Sequence, residues 1–266
     1  MNTMILGLLA ETSIHPGAGQ SAGFVDLPVA REAATDYPVI VGSSFKGALR
    51  DTAERLGQGD VKRTFGESDA AGDLLVSDAR LLLLPVRSLT SQFKWVTCPH
   101  LIERFQRDRD RAKRKGNPID VTCSRGYLGD GTGMLFLEER QFERAGDLPP
   151  NSIDLIDKLI FHESARKRLP KQLVLVSDKD FVWFARYGLA VTARNQLKKE
   201  SKTSNNLWYE ETLPAESLFY ALLAERRAGA LDLVKSIFAT RPYLQVGGNE
   251  TIGQGWFAVQ MVEGEQ

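Results

Sequence analysis

The order of predicted elements along the chain favours an α+β fold with a ferredoxin-like core. The segments alternate as strand, helix, strand, insertion, strand, arm, strand, helix, strand. This alternation is typical of a sheet that carries helices on one face. With 266 residues, the chain is long enough for one large domain with its own core. We therefore expect a single domain over residues 1–266.

The first third of the chain supplies two strands with a helix between them. Residues 3–13 are predicted to form a buried strand, and "LLVSDARLLLLPV" predicts a strand that ends at Pro85. The stretch "SSFKGALRDTAERLG" predicts a helix that Ser43 or Ser44 caps and Gly57 ends. The residues expected on its apolar face are Phe45, Ala48, Leu49, Ala53 and Leu56.

Residues 86–150 are predicted to form a helical, basic insertion. They contain the helix-like stretch "CPHLIERFQRDRDRAKRKG" and the turn-rich stretch "RGYLGDGTGM". The cations make this helix a candidate phosphate track, although most charge runs are solvated faces. These cations are Arg104, Arg107, Arg109, Arg111, Lys113, Arg114 and Lys115.

The second half of the chain completes the alternation. The stretch "NSIDLIDKLIFHESARKRL" predicts a helix, and "KQLVLVSDKDFVWFARYGLAV" predicts one or two strands. Residues 191–214 begin with polar and basic side chains, contain a turn at "SNN" and continue through an aromatic pair, which predicts a long hairpin or arm. A strand in "ESLFYALLAERRAG", a helix in "ALDLVKSIFATRPYLQVGG" and a last strand after "GGNETIGQGW" follow.

Composition excludes several classes of protein. Lysines plus arginines equal aspartates plus glutamates, 34 each, so the net charge neither favours nor excludes nucleic acid. Two cysteines form neither a disulfide framework nor a zinc-site spacing. No apolar run approaches the roughly 20 residues of a membrane span. We expect a reduced, cytoplasmic protein without a membrane segment.

Two glycine-rich stretches and one helix start could bind anions. The stretches "HPGAGQSAG" and "GGNETIGQGW" let the backbone approach a ligand closely, but two tight turns would look the same. At the start of the predicted helix, Ser44, Lys46 and Arg50 could hold consecutive phosphates, or could lie on a capped, solvated surface. The candidate backbone contacts in the second stretch are Gly247, Gly248, Gly253 and Gly255.

The predicted arm mixes cations with apolar and aromatic side chains. Arg194, Lys198 and Lys199 lie near Leu197 and precede the aromatic pair "WY". Such mixing suits a single RNA strand, whose phosphates need positive charge and whose bases need flat surface. The alternative is a partner-binding hairpin, and an aromatic pair entering a strand usually anchors that strand.

His15 and Asp26 form the one His–Asp pair within a glycine-rich loop. Near an RNA phosphate, such a pair can assist attack by the 2′-hydroxyl, either by carrying protons or by holding a divalent metal. Without further context, Asp26 is more simply explained as the acid of a turn or cap.

Four motifs, which stand in a family-specific order, supply that context. They are "SIHPGAGQSAGFVDLPVARE", "YPVIVGSSFKGALRD", "LWYEETLP" and "NETIGQGW". With them the chain resembles the RAMP superfamily, specifically the repeated backbone subunit of Cmr-type (type III-B) CRISPR effector complexes. The resemblance implies a modified RRM-like palm, an inserted helical region and a β-hairpin thumb over about residues 190–213.

The resemblance also implies a function and partners. Copies would stack as a helical filament along a crRNA guide, beside other subunits of the complex, and cut complementary target RNA at regular intervals. The family's acid falls on Asp26, which would hold Mg²⁺ or another divalent metal or orient the hydroxyl, with His15 as helper or guide contact. Glu210 and Glu211 are further candidates.

Three other functions stay open from the sequence. The chain could be a non-catalytic RNA-binding scaffold in which Asp26 is structural. It could instead be a guide-maturing endoribonuclease of the same superfamily with His15 as base, or an unrelated RNA-binding domain.

Overall fold

The computed structural model describes residues 1–21, 23–114 and 118–263 and contains one large sheet, one separate hairpin and seven α-helices within those ranges. The helices are α1 Gly42–Leu56, α2 Val61–Phe65, α3 Pro99–Arg111, α4 Ser152–Asp157, α5 Glu163–Gln172, α6 Asp178–Tyr187 and α7 Ala230–Phe238. The first seven strands are β1 Thr3–Ala10, β2 Val39–Ile40, β3 Leu74–Val76, β4 Ala79–Ser88, β5 Gln92–Thr97, β6 Tyr127–Gly129 and β7 Met134–Leu137. The other seven are β8 Arg140–Gly146, β9 Leu173–Val176, β10 Ala190–Leu197, β11 Ser204–Thr212, β12 Leu218–Glu225, β13 Tyr243–Gln245 and β14 Trp256–Glu263.

The large sheet has 12 strands, ten of which follow the order β13-β14-β1-β12-β4-β5-β9-β6-β8-β7. The short strands β2 and β3 pair with β4 and β12. Most pairs are antiparallel, and the β5–β9 and β6–β8 pairs are parallel. Together with the helices, this sheet confirms the α+β class.

Strand β1 lies at the centre of the palm, between β12 and β14. Its residues from Met4 to Ala10 are buried, which agrees with the apolar run that predicted it. Gly7 is needed there because a Cβ atom would lie 2.0 Å from the carbonyl oxygen of Leu159. The segment between α4 and α5 therefore packs directly on the backbone of β1.

Helix α1 confirms most of the predicted apolar face and corrects the cap, but Leu56, which was expected on that face, is exposed at the end of the helix. Phe45, Leu49 and Ala53 are buried, and Gly57 ends the helix in the left-handed region at φ 61°. Both candidate cap serines lie inside the first turn, because the helix begins at Gly42. The Asp78 carboxylate caps it instead, accepting a hydrogen bond from the Gly42 N–H at 2.7 Å.

Three predictions for the middle of the chain are wrong in detail. The strand predicted to end at Pro85 is two strands, β3 and β4, and β4 continues to Ser88. Strand β12 pairs with β4 only as far as Leu83. Within the described residues, no strand on that edge therefore requires a hydrogen bond from position 85, where proline has no N–H to donate. The helix predicted from residue 151 is split into α4 and α5. Residues 86–150 are only partly helical, since α3 is accompanied by strands β5 to β8.

A fourth prediction failed after β9. Residues 178–187 were expected to be extended, but they form α6, which the Ser177 hydroxyl caps by accepting from the Asp180 N–H. Phe181, Phe184 and Ala185 are its buried residues. Spacings of three and four residues place them on one helical face.

The predicted hairpin is present as β10 and β11. The register places Arg194 opposite Trp208 and Gln196 opposite Asn206. Most side chains of β10 and of the outer half of β11 are exposed. The hairpin therefore projects from the palm, and only its base packs against the body.

Candidate functional site

The base of the hairpin is joined to the loop that carries Asp26. The Leu27 N–H donates to the Tyr209 carbonyl at 3.1 Å, and the Glu211 N–H donates to the Leu27 carbonyl at 3.0 Å. Leu27 thus pairs with β11 in parallel. The loop after β1 acts as a third strand at the hairpin's inner end.

Asp26 is half-buried at this junction. Its Oδ2 atom accepts a hydrogen bond from the Tyr209 N–H at 2.7 Å, which fixes the carboxylate against β11. The carboxylate faces a cavity of about 440 Å³, which we call the thumb cavity. The cavity is lined by Gln20, Ser21, Asp26, Leu27, Gln196, Asn206, Leu207 and Trp208.

His15 is buried, and its contact on β11 lies two residues beyond that of Asp26. Its Nδ1 lies 2.8 Å from the Glu211 carbonyl oxygen. Because a carbonyl can only accept, Nδ1 carries the proton in this contact, and Nε2 of the neutral ring keeps a free lone pair. The ring packs against Gly17 and Gly248, where an added Cβ would lie 3.0 Å from Nε2 and 3.2 Å from Cδ2.

A second cavity, the palm cavity, gathers three of the sequence motifs. It has a volume of about 610 Å³ and brings His15, Ser44 and the start of the terminal glycine loop together. Its lining residues are His15, Pro16, Gly17, Gly19, Leu27, Ile40, Ser44, Gly47, Ala48, Asp51, Gly247, Gly248 and Glu250. Lys46 and Arg50 are absent from this lining.

The structure does not join His15 and Asp26 in a hydrogen bond. They line different cavities on either side of Leu27, which contributes to both. Their anchors are the Glu211 carbonyl and the Tyr209 N–H. The two anchor residues are two positions apart on β11, where equivalent backbone atoms lie roughly 7 Å apart.

The two cations of α1 differ in their surroundings. Arg50 donates to the Glu54 carboxylate at 2.8 Å and to the Gly66 carbonyl at 3.1 Å. Lys46 has no ion pair within the described residues. Burial, followed by the charges of Arg226 and Arg50, lowers the pKa of the Lys46 ammonium. An anion bound beside these three cations would stabilise the charged form of Lys46.

The hairpin cations also differ. Arg194 is half-buried and donates to the Glu210 carboxylate at 3.1 Å. Lys198 and Lys199 are exposed at the tip. The structure thus leaves the two lysines available to a ligand and uses Arg194 within the hairpin base.

Glu210 and Glu211 are both buried and engaged in structural contacts. Glu210 accepts from Arg194 and, at 2.6 Å, from the Asn249 amide. Glu211 accepts from the Arg31 guanidinium at 2.7 Å and from the Val29 N–H at 3.0 Å. These contacts tie the hairpin to both glycine loops, and the sequence analysis missed Arg31 and Asn249 because their partners lie far along the chain.

Three of the four candidate glycines in the terminal loop have a structural role. Gly247 has φ 99°, and a Cβ there would lie 2.8 Å from the His15 carbonyl oxygen. The Gly248 N–H donates to that same oxygen at 2.9 Å. A Cβ atom added to Gly255 would lie 2.3 Å from the Val246 carbonyl oxygen, whereas one added to Gly253 would have no neighbour among the described residues within 4 Å.

The basic run on α3 is largely paired within the protein. Arg104 is buried and donates to the Glu32 carboxylate at 2.7 Å, and Arg107 pairs with Glu103. Arg111 lies 3.7 Å from Asp108, and Arg114 donates to the Glu263 carbonyl. Lys115 lies outside the described residues. The phosphate-track hypothesis therefore loses most of its cations to internal contacts.

Asp26 is the one candidate metal ligand of the sequence analysis. In the part of the chain that the structure describes, no group of three histidine, cysteine or acidic side chains could hold a metal ion. Mg²⁺ commonly takes only one or two protein carboxylates and completes its shell with water and phosphate oxygens. One free Asp26 oxygen fits that mode and does not fit an all-protein cage.

Within the described ranges, no helix is long and apolar enough to cross a membrane. Cys98 and Cys123 are free thiols, as expected from their spacing.

Comparison with known proteins settles the family. Residues 8–258 match the family model described as the RAMP superfamily. This chain belongs to the RAMP superfamily. The match covers both cavities of this RAMP chain, the hairpin and the terminal glycine loop.

Two curated relatives extend over nearly the whole of this RAMP chain. The CRISPR system Cmr endoribonuclease Cmr4 of Pyrococcus furiosus is 32% identical over 287 residues, covering 99% of this chain and 97% of the relative. The CRISPR system CMR subunit Cmr4 of Saccharolobus solfataricus is 24% identical and covers 92% of each.

Solved structures confirm the RAMP fold. Oligomeric Cmr4 from Pyrococcus furiosus is similar with a TM-score of 0.79 at 26% identity, covering 100% of both chains. A chain of the type III-B Cmr-beta complex bound to cognate target RNA is similar with a TM-score of 0.78 at 21% identity, covering 97% of this chain and 96% of that chain.

Proposed function

We propose that this chain is the repeated backbone subunit of a Cmr-type CRISPR effector and cleaves target RNA at the base of its hairpin. The observation that carries the proposal is the placement of Asp26 in the thumb cavity, fixed to the Tyr209 N–H. The relative that is 32% identical over nearly the full chain is named as an endoribonuclease. We treat residues 1–266 as one domain, with the hairpin as its thumb.

The proposed reaction uses the nucleophile that RNA carries. The 2′-hydroxyl oxygen attacks the adjacent phosphorus, and the bond from phosphorus to the 5′-oxygen breaks. The hydroxyl proton passes to a base, and the leaving oxygen takes up a proton. The products are a 2′,3′-cyclic phosphate and a 5′-hydroxyl.

Asp26 and His15 are placed to share the proton transfers of that reaction. Their anchors are two residues apart on β11. The free Nε2 of His15 can accept a proton, and the Asp26 carboxylate can orient the attacking hydroxyl. The thumb would hold one nucleotide out of the A-form helix, because in-line attack requires a splayed backbone.

A divalent cation such as Mg²⁺ forms part of the proposal. Asp26 would supply one oxygen ligand, and the RNA and water would supply the others. When bound, the cation would offset negative charge at the phosphate.

The guide is proposed to bind through its backbone, so that each copy accepts a different sequence. Ser44, Gly247 and Gly248 line the palm cavity, and Lys46 adds positive charge beyond it. Lys198 and Lys199 would contact RNA from the thumb tip, whereas Arg194, Arg50, Gly253 and Gly255 would act by shaping these surfaces. This last assignment narrows the set of RNA contacts expected from the sequence.

The proposed partners are a crRNA guide, target RNA, further copies of this chain and other subunits of the effector. Head-to-tail contacts between copies would generate a helical filament. The crystal structure of a 26% identical relative is described as oligomeric. We place the assembled complex in the cytoplasm.

The decisive experiment is cleavage of a guide-matched RNA by the assembled complex carrying Asp26→Asn. We expect regularly spaced cuts to disappear while assembly and target binding stay intact. Asp69→Asn is the matched control, because that residue is exposed and lines neither cavity. Persistent cutting by Asp26→Asn at the wild-type rate would leave the non-catalytic scaffold as the better description.

The alternative, a guide-maturing activity, would act on a different substrate from the target RNA. Cleavage of a repeat hairpin by the isolated chain, abolished by replacement of His15, would favour maturation. We expect no such cleavage.

A further inference from the structure

The indole of Trp208 is the most unusual group in the thumb cavity. The residue is half-buried, and its Nε1 atom is closed to solvent yet has no hydrogen-bond acceptor within the described residues. Trp208 directly precedes Tyr209, whose backbone N–H holds Asp26. Trp208 and the proposed catalytic acid therefore line the same cavity, with the indole nitrogen covered by protein.

An unpaired buried donor needs an explanation. Leaving such a group without a partner destabilises the folded state, and most buried polar groups in folded proteins are paired. Phenylalanine would give a flat ring at this position without that cost. An anchor for the strand needs only the ring, so the indole nitrogen points to a ligand.

The wall around Trp208 selects the chemistry of that ligand. An indole N–H only donates, so the ligand must offer an acceptor. Gln196 and Asn206 face each other across the hairpin and line the same cavity, and within the described residues their side chains make no hydrogen bond. Arg194 lies opposite Trp208 in the strand register and keeps its guanidinium on Glu210.

The need for an acceptor opposite the indole N–H favours a phosphate oxygen. A non-bridging phosphate oxygen accepts only, and every nucleotide of an RNA strand carries two of them. A nucleobase edge would instead present donors as well as acceptors. Because each copy must work on any sequence, a contact to the phosphate also suits the site better than a contact to one base.

We propose that RNA entering the thumb cavity displaces the side chains that cover the Trp208 indole N–H, which then donates to a non-bridging oxygen of the phosphate that is cut. This inference rests on the proposed function, because it assumes that cleavage occurs beside Asp26. Negative charge grows on these oxygens as the 2′-oxygen attacks and the 5′-oxygen leaves. The hydrogen bond therefore strengthens towards the transition state and accelerates the reaction.

The first test is Trp208→Phe in the complete effector complex, measured as the single-turnover rate of target cleavage. Loss of one such donor lowers the rate on the order of 10²-fold. We expect this loss with unchanged binding of guide and target. The matched control is Trp183→Phe, which removes an indole nitrogen from α6, where the ring stacks against Arg140. A wild-type rate for Trp208→Phe would overturn the inference.

The second test identifies the atom that accepts. One non-bridging oxygen at the cut phosphate is replaced by sulfur, which is a poor acceptor, and the two diastereomers are compared. We expect the wild-type complex to discriminate between them and Trp208→Phe to lose much of that discrimination. An unchanged diastereomer ratio, or a defect that instead follows the identity of the base, would overturn the phosphate assignment.

The third test removes only the N–H. A tryptophan analogue with sulfur in place of the indole nitrogen keeps the ring if Trp208→Phe fails to assemble. The same slow rate is expected, and a normal rate would refute the inference. The Asp26→Asn result distinguishes the two proposals: cutting that survives Asp26→Asn refutes the proposed function, whereas Asp26-dependent cutting with normal Trp208→Phe refutes this inference alone.

Discussion

Gly247 offers a quantitative test of the way the two glycine loops support each other. Its backbone has φ 99°, and a Cβ atom would lie 2.8 Å from the carbonyl oxygen of His15. Gly253, in the same loop, has φ 81° but would place a Cβ atom in open space. Replacing each residue with alanine therefore separates backbone strain from a steric clash.

The expected losses follow from these two terms. An alanine in the left-handed region costs roughly 1–2 kcal/mol, and both variants incur that cost. Only Gly247→Ala adds a close contact with a carbonyl that already accepts from the Gly248 N–H. Overpacking of this kind costs about 1–3 kcal/mol. We expect Gly247→Ala to lose about 1–3 kcal/mol more than Gly253→Ala.

Equilibrium urea unfolding of both variants and the parent chain measures the difference. Cleavage by the assembled complex provides a second readout, because a displaced His15 carbonyl moves the imidazole of the same residue. Equal losses of unfolding free energy in the two variants would refute the reasoning, since they would mean that the His15 peptide yields without cost.

Three further predictions concern pH, charge and the hairpin. Burial raises the pKa of the Cys98 thiol from 9.0 to about 12, so between these pH values the folded chain binds more protons than the unfolded chain. The free energy of unfolding should therefore fall as pH rises from 9 to 12. Urea titrations at each pH should show a smaller fall for Cys98→Ala. Lys46→Ala should lower the salt slope of guide binding by about one, and Arg50→Ala by less, because Arg50 is already paired; equal slopes for both would contradict this distinction. Deletion of residues 195–206 should leave the chain folded by circular dichroism but abolish regularly spaced cuts, whereas loss of folded protein would show that this segment belongs to the core.

The fold was predictable wherever one face of an element is buried against the palm. Helix α1 shows this most clearly, because Phe45, Leu49 and Ala53 recur at helical spacing and Gly57 stops the helix. Helix α6 was missed because the apolar run of β9 continues into phenylalanines and a tryptophan, which also favour strands. The serine at position 177 was the available sign of a helix start.

The site was predictable in its residues but not in its contacts. Motifs identified Asp26 and His15, yet both are held by β11, which lies more than 180 residues later in the chain. Sequence gave no way to see that Arg50 is already paired with Glu54 and Lys46 is not. Such distinctions depend on which neighbours the fold brings into contact, and local composition carries no record of them.

The attachment of both proposed catalytic groups to one strand has a consequence for variation in this protein. Asp26 and His15 bind backbone atoms of residues 209 and 211, so their spacing does not depend on which side chains occupy those two positions. Substitution of the exposed Tyr209 side chain should leave the spacing unchanged. Insertion or deletion of a single residue would instead shift one anchor by about 3.3 Å and reverse the direction of its hydrogen-bonding group. Related chains should therefore keep the length of this segment even where the side chain at position 209 differs.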